Sequence, residues 1–592
     1  MRIALTLWFV AAFAAFGLVR ADTPQAPPAN SAVRGDRAEG WLAQSRSPVL
    51  ARNGMVATSQ PLAAEAGLRV LMEGGNAVDA AVATAATLNV VEPMMVGMAG
   101  DIFCIIYIAK DHKYYALNAS GEAPSGATIA RFNELGYRFD PKNWGPGSGM
   151  PRGGILDVTV PGSVWGWNAV LQRFGMMRFD KVLAPAIAYA EQGYPVSERI
   201  AHDWKLPPAL PLRGCCTQLD PDSVRTWYIN GAPPKTGQIF RNPDLARSFR
   251  LLQKYGAAVF YRGEIARAIV AKSRKLGGTM TLADLANYRG EWVQPIDTEY
   301  HGAHLLELPP PSQAFAANEA LNILAACVPK LVPGQTLASL GPANAEYWHL
   351  LVEAKKLAYA DLYRYNGDPD VVKVPLARLL SPAYAASLCG KIDPNRASTP
   401  AAPGNDTAGG DTIVLETADR WGNMVSWVNS NYDEFGSGIT VPGYGFILHD
   451  RGGLFTLDPH SPNAVAPHKR PFNTLMAGFI VRGGRPLMTL GLMGGDMQAQ
   501  GHEQIAVDII DLGANVQQAG DMARFRQAEI ANVLALESPL YDLVGDQLKA
   551  MGHDVVSSNR GPMGGYQAIM LLPDGAYAGG SDFGKDGEAV GW

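Results

Sequence analysis

Between Pro61 and Pro93 the chain reads PLAAEAGLRVLMEGGNAVDAAVATAATLNVVEP, and IFCIIYI follows at residues 102–108. The first part carries apolar residues at helical spacing and ends on Gly74-Gly75, which suits a helix C-terminus. Asn76 is placed to cap a second, Ala-rich helix that stops at Pro93. Small residues in both let the backbones approach closely, so this pair is expected deep in the molecule. IFCIIYI and KYYALNA read as strands joined by the polar turn Lys110 to Lys113. A helix layer on a sheet is the simplest architecture for such a start.

The rest of the chain has the material for a large core. Of 592 residues, 47% are apolar and 18% charged, which excludes global disorder. The formal net charge is -5 with no long Lys/Arg run, so nucleic acid is not an expected partner. The opening MRIALTLWFVAAFAAFGLVRADTP has a basic start, an apolar stretch and small residues before Asp22. It reads as a cleaved signal segment over residues 1–21, implying a periplasmic or secreted protein with no stable membrane anchor. The cysteines, Cys104, Cys215, Cys216, Cys327 and Cys389, are not expected to form a disulfide framework; buried thiols or outside bridges remain open for Cys215 and Cys216.

Helical stretches such as DLARSFRLLQKYG and ANEALNILAAC alternate with proline-rich loops, LPPALPLRG and LPPPSQ, where pockets could form. The last third is hairpin-rich, with DRWGN and LPDG as tight turns. Residues 393–410, DPNRASTPAAPGNDTAGG, are small, polar and rich in proline and glycine, and are expected to be exposed and mobile. That stretch ends at Asp411-Thr412. Thr412 then opens a β-prone segment that pairs with MVSWVNS across DRWGN. A threonine at a strand start is ordinary. A threonine whose own α-amine were freed by a cut would unite nucleophile and base in one residue, giving acyl transfer through an ester. Both readings stand on the local sequence.

Acyl transfer also needs donors for an oxyanion, and Gly494-Gly495 after a strand-like run could present backbone N–H groups, or simply turn the chain. The chain has no Walker loop, GxGxxG after a strand, HExxH or GxSxG. His301 and His304 lack a third ligand nearby and are expected as a satisfied or exposed pair; FTLDPHSPNAVAPHKRP (residues 455–471) is expected as a structured loop. Neither metal nor cofactor is expected.

GGNAVDAAVAT, GMAGDIF, VPGSVWGW, TLADLANYRGEW, LPPPSQ, GDTIVLETADRWGNMVSW, NSNYDEFGSGI, APHKRPFNT, LGLMGGDMQ and SDFGKDGEAVGW occur in order from about Gly54 to Trp592. Through them the sequence resembles the γ-glutamyltransferase (glutathione hydrolase) family of N-terminal-nucleophile hydrolases. The resemblance implies an α+β fold, a four-layer αββα sandwich built jointly by two subunits cut from one precursor. It implies a large subunit over residues 22–411 and a small catalytic subunit over 412–592, which stay together as a heterodimer. It makes Thr412 the nucleophile, Ser430 a second hydroxyl that supports it, and Gly494 and Gly495 the oxyanion pair. Asn431, Asn473 and Thr474 become substrate-binding candidates, the last two standing where the family has two serines. Two positions depart from the pattern: Glu122 occupies the run before Ala123-Pro124 where the family carries an arginine, and Leu454 stands where it carries an acid. The expected substrate is a γ-glutamyl amide, with a related acylase or a non-catalytic binding scaffold as alternatives.

Overall fold

The computed structural model describes residues 44–142, 144–204, 219–399, 411–529 and 531–592. The expected signal segment, Cys215, Cys216 and most of the 393–410 stretch lie outside the described residues. Two seven-stranded antiparallel sheets stack at the centre. The first runs, edge to edge, through Glu588–Gly591, Gly54–Thr58, Asp411–Asp419, Met424–Tyr432, Asp101–Ile108, Lys113–Ala119 and Glu291–Val293. The second runs through Val49–Ala51, Tyr577–Ser581, Tyr566–Leu571, Arg485–Leu492, Gly478–Arg482, Ala303–Glu307 and Ile296–Tyr300.

Side chains alternate across a strand, and this period of two explains the unbroken apolar run at 102–108. Phe103, Ile105 and Tyr107 point into the layer between the sheets, meeting Met55, Val414, Val428, Phe479 and Ile569. Ile102, Cys104 and Ile106 point the other way, into the core shared with the helices Pro61–Met72 and Ala77–Val91. The outer face of the second sheet is covered by Phe315–Leu331, Ala345–Tyr365 and Met497–Ile510. The layers are therefore α, β, β, α, as the family resemblance implies.

The helix Ala77–Val91 is buried along its whole length. Its start is fixed by a reciprocal cap: the Asn76 side chain accepts the N–H groups of Val78 and Asp79, and the Asp79 carboxylate accepts the Asn76 N–H at 2.9 Å. The expected close approach occurs at Gly67, where a Cβ would fall 2.2 Å from Thr84 Oγ1.

One expectation needs correction. Cys327, on the helix Phe315–Leu331, is bridged to Cys389, which follows the helix Pro382–Leu388, so one cysteine pair does cross-link the chain. Cys104 is a buried thiol whose ionisation burial pushes strongly upward. The described start of the proline-rich stretch makes backbone contacts with the body of the molecule. The Ala397 N–H donates to Met551 O at 2.8 Å, and the Ser398 N–H lies 3.2 Å from both Glu353 carboxylate oxygens. Small polar residues expose their backbone groups to any partner a neighbouring helix offers, which composition alone does not reveal.

Candidate active site

Thr412 is buried at the head of the hairpin Asp411–Asp419/Met424–Tyr432, in the middle of the first sheet. The ladder is regular from Ile413↔Asn429 to Ala418↔Met424, but Asp411 pairs with Tyr432, so one strand bulges around Thr412. Tyr432 takes a left-handed φ of 83° at this point. The bulge places Thr412 Oγ1 3.3 Å from Ser430 Oγ, to which it donates, while Ser430 Oγ accepts the Tyr432 N–H at 2.7 Å. Ser430 is itself fully buried opposite Asp101.

A polar network leads from this pair to the other expected site residues. The Arg451 guanidinium lies 4.8 Å from the centre of the Tyr432 ring, and its Nη1 donates to Thr474 Oγ1 at 2.8 Å. Gln313, at the end of LPPPSQ, uses Nε2 to donate to Thr474 O at 2.6 Å and to Gly495 O at 2.7 Å. The Gln313 N–H meets Asn473 O at 2.9 Å. Gly494 and Gly495 have φ of 122° and 62°, a left-handed pair ahead of the helix Met497–Ile510. A Cβ on Gly494 would come 3.1 Å from Gly564 Cα and 3.2 Å from Met497 Cβ. Among the described residues neither glycine N–H has a hydrogen-bond acceptor, which is the state an anion-binding pair requires. Asn431 is fully buried one residue from Ser430; its N–H donates to Met95 O at 3.0 Å, and its carbonyl accepts the Asp450 N–H at 3.2 Å.

Several charged residues that sequence reasoning passed over gather here. Asp101 is fully buried, with Oδ2 3.8 Å from both His449 Nδ1 and Arg451 Nε. Burial raises the pKa of the Asp101 carboxyl and lowers those of His449 and Arg451. A small cleft beside Tyr432 is lined by Arg152, Asp157, Asp433, Asp450 and Leu454. Asp157 accepts the Gly153 N–H with Oδ2 at 2.5 Å, and its Oδ1 has no partner among the described residues. Burial, then the Asp450 charge, push the Asp157 carboxyl well up. Asp450 is pushed up likewise by burial and by Asp433. Glu122 lies outside this cleft lining and faces Arg470 at 3.5 Å, with Arg470 also meeting Glu291, Asp368 and Asp370. The one signal in the sequence for the cleft was the placement of Asp433 and Asp450 on either side of the glycine-rich turn after Ser430.

His301 and His304 do not converge: His301 Nδ1 meets Asp511 at 2.6 Å and His304 Nδ1 meets Asp297 at 2.9 Å. The 455–471 segment is held as a structured loop, with Lys469 Nζ donating to Pro462 O and Ala464 O.

Paired antiparallel sheets between two helix layers are the architecture of the N-terminal-nucleophile hydrolases. The gamma-glutamyltranspeptidase family model matches residues 63–592, and the chain belongs to that family of enzymes. It is 34% identical over 551 residues to a glutathione hydrolase-like YwrD proenzyme of Bacillus subtilis (strain 168), covering 92% of this chain and 99% of the relative. It is 33% identical to the acylase ACY 1 proenzyme of Pseudomonas sp. (strain SE83), covering 92% of this chain and 94% of that one. Among solved structures, a cephalosporin acylase from Bacillus halodurans matches with a TM-score of 0.84 and 36% identity, covering 96% of this chain and 99% of that one. No helix among the described residues is long and apolar enough to cross a membrane.

Proposed function

We propose that this enzyme is an exported amide hydrolase and acyltransferase that cuts itself before Thr412 and then uses Thr412 as its nucleophile on γ-glutamyl amides. The observation that carries the reading is the buried Thr412–Ser430 hydroxyl pair at a strand bulge. In the precursor, Thr412 Oγ1 attacks the Asp411 carbonyl carbon, the Asp411–Thr412 amide becomes an ester, and water hydrolyses it. The cut leaves a carboxylate on Asp411 and a free α-amine on Thr412. An α-amine is far less basic than a lysine side chain, and this one takes the hydroxyl proton when Oγ1 attacks a substrate amide. The N–H groups of Gly494 and Gly495 receive the oxyanion, the leaving amine takes the proton, and water or a second amine releases the acyl group.

The cleft bears on the substrate. Glu122 and Leu454 withhold the charges expected for a glutamyl end, but Arg152 and Asp433 supply both signs beside Tyr432. A zwitterionic acyl group matches that lining. A second reading, an acylase for uncharged or singly charged acyl amides, is supported by the apolar Leu454 and by the likeness to the cephalosporin acylase.

Intact-mass measurement after incubation with a γ-glutamyl anilide tests both steps. Two polypeptides are expected, the smaller beginning at Thr412 and carrying the acyl adduct, with Thr412→Ala giving one uncut chain. A parent protein that stays uncut, or is cut elsewhere, overturns the proposal. Faster turnover of a glutaryl anilide than of the γ-glutamyl anilide selects the acylase reading.

A further inference from the structure

Far along the chain from the hydroxyl pair, His349 and Glu353 stand one turn apart on the helix Ala345–Tyr365, and His553 meets them from just ahead of the strand Asp554–Ser558. All three are buried, and one ligand-capable atom of each lies within 4.8 Å of the others. His349 Nδ1 and His553 Nε2 are 2.8 Å apart, while His349 Nε2 is 2.8 Å from the Asp393 carbonyl oxygen. A carbonyl only accepts, so Nε2 carries the proton of a neutral His349 and the Nδ1 lone pair faces the cluster. An imidazole braced through its second nitrogen by a backbone carbonyl is the outer support that metal-bound histidine uses. Glu353 is braced as well, by the Ser398 N–H and by Lys356 Nζ, which sits 2.8 Å from Oε1 and 2.9 Å from Ser398 O.

We propose that His349 Nδ1, His553 Nε2 and a Glu353 carboxylate oxygen bind Zn2+, with water in the fourth position. Two imidazoles and one carboxylate form a donor set of borderline softness that suits this ion. Zn–N bonds of about 2.0–2.1 Å in a tetrahedral site need the two nitrogens about 3.3 Å apart, a spread of about half an ångström from their contact here. His553 shifts its proton to Nδ1 as the ion enters. Lys356 engages Oε1, so Oε2 is the oxygen turned to the metal, and the Lys356 contact with Ser398 O holds the ammonium in place. His349 and Glu353 precede residue 412 and His553 follows it, so the ion ties the two polypeptides together; that consequence rests on the cut proposed above, whereas zinc binding does not.

The test uses the full chain, incubated with Zn2+, freed of loose metal by desalting and assayed by inductively coupled plasma mass spectrometry. The parent is expected to keep about one zinc per chain, and zinc is expected to raise its Tm. Thr412→Ala is expected to keep the same amount uncut, which separates the fate of this site from that of the cleavage. Glu353→Gln and His553→Gln are expected to lose the zinc and the Tm shift, with Glu353→Gln deciding if His553→Gln does not fold. A parent that retains no zinc, or a folded Glu353→Gln that retains as much as the parent, overturns the proposal.

Discussion

At Thr412 the decisive geometry is a single irregularity in a hydrogen-bond ladder, because a regular register would continue the alternation through residue 412 without the bulge that accompanies the hydroxyl pair. Replacing Ser430 by Ala removes the group that accepts the Thr412 hydroxyl, so at least a tenfold fall in kcat, about 1.4 kcal/mol, is expected in single-turnover assays of the cut enzyme. Unchanged kcat would remove Ser430 from the catalytic machinery. Asp433 lines the cleft and is half-buried, so Asp433→Asn tests the charge match directly. A charge-assisted contact is worth about 1.5–3 kcal/mol, which predicts at least a tenfold rise in KM for a γ-glutamyl anilide with kcat little changed. A glutaryl anilide, which lacks the amine, is expected to show no such rise. Equal effects on both substrates would place the amine elsewhere. The placement of Thr412 at a strand start, paired across one tight turn with the strand that carries Ser430, was legible in the sequence because the two segments are contiguous. The cleft was not, since Asp157, Arg152, Asp433 and Asp450 come from separate loops that only the fold brings together.

The helices and strands around the site were legible to the extent that their signals are local. The Asn76 cap, the Gly74 terminus and the apolar run at 102–108 all sit where periodicity places them. What the local pattern omits is pairing across long separations, and the Cys327–Cys389 bridge is the clearest case. It closes a loop 62 residues long between the helix Phe315–Leu331 and the segment after Pro382–Leu388. The chain-entropy model gives such a loop about 4 kcal/mol of stabilisation. Denaturant titration of the oxidised protein against a Cys327→Ala/Cys389→Ala variant should show a loss of that size; an unchanged midpoint would mean the bridge does not form. The helix Ala77–Val91 makes a second prediction at its C-terminus, where Glu92 is buried and accepts the Ser59 hydroxyl at 2.5 Å. Burial raises its carboxyl from 4.5 to about 7, and a negative charge at the carbonyl end of a helix adds to the cost. The folded state therefore holds this proton more tightly than the unfolded one. The stability is complete below pH 4.5 and is lost as pH rises toward about 7, a change of about 3 kcal/mol. Glu92→Gln should flatten that part of the Tm profile, and a variant whose Tm falls as the parent's does between those pH values would refute it.

Across the whole molecule, the position of the proposed cut matters more than its chemistry for what holds the enzyme together. In the first sheet, the strand Asp411–Asp419 is paired on one side with Gly54–Thr58 and on the other with Met424–Tyr432, which in turn pairs with Asp101–Ile108. In the second sheet, four central strands that follow residue 412 are flanked by Val49–Ala51 on one edge and by Ala303–Glu307 and Ile296–Tyr300 on the other. Each sheet is thus woven from residues on both sides of the cut, and the layer between them draws Met55, Phe103 and Leu308 from one side and Val414, Phe479 and Ile569 from the other. Separating the pieces would break strand ladders in both sheets and open that apolar layer to water, so the cost is of the order of unfolding itself. The cut enzyme is expected to elute as one species in size-exclusion chromatography while giving two bands on a denaturing gel. In a urea titration, loss of co-elution and loss of secondary structure should share a midpoint. Pieces that part at lower urea, with their circular dichroism intact, would mean that each folds on its own and that the shared sheets do not join them.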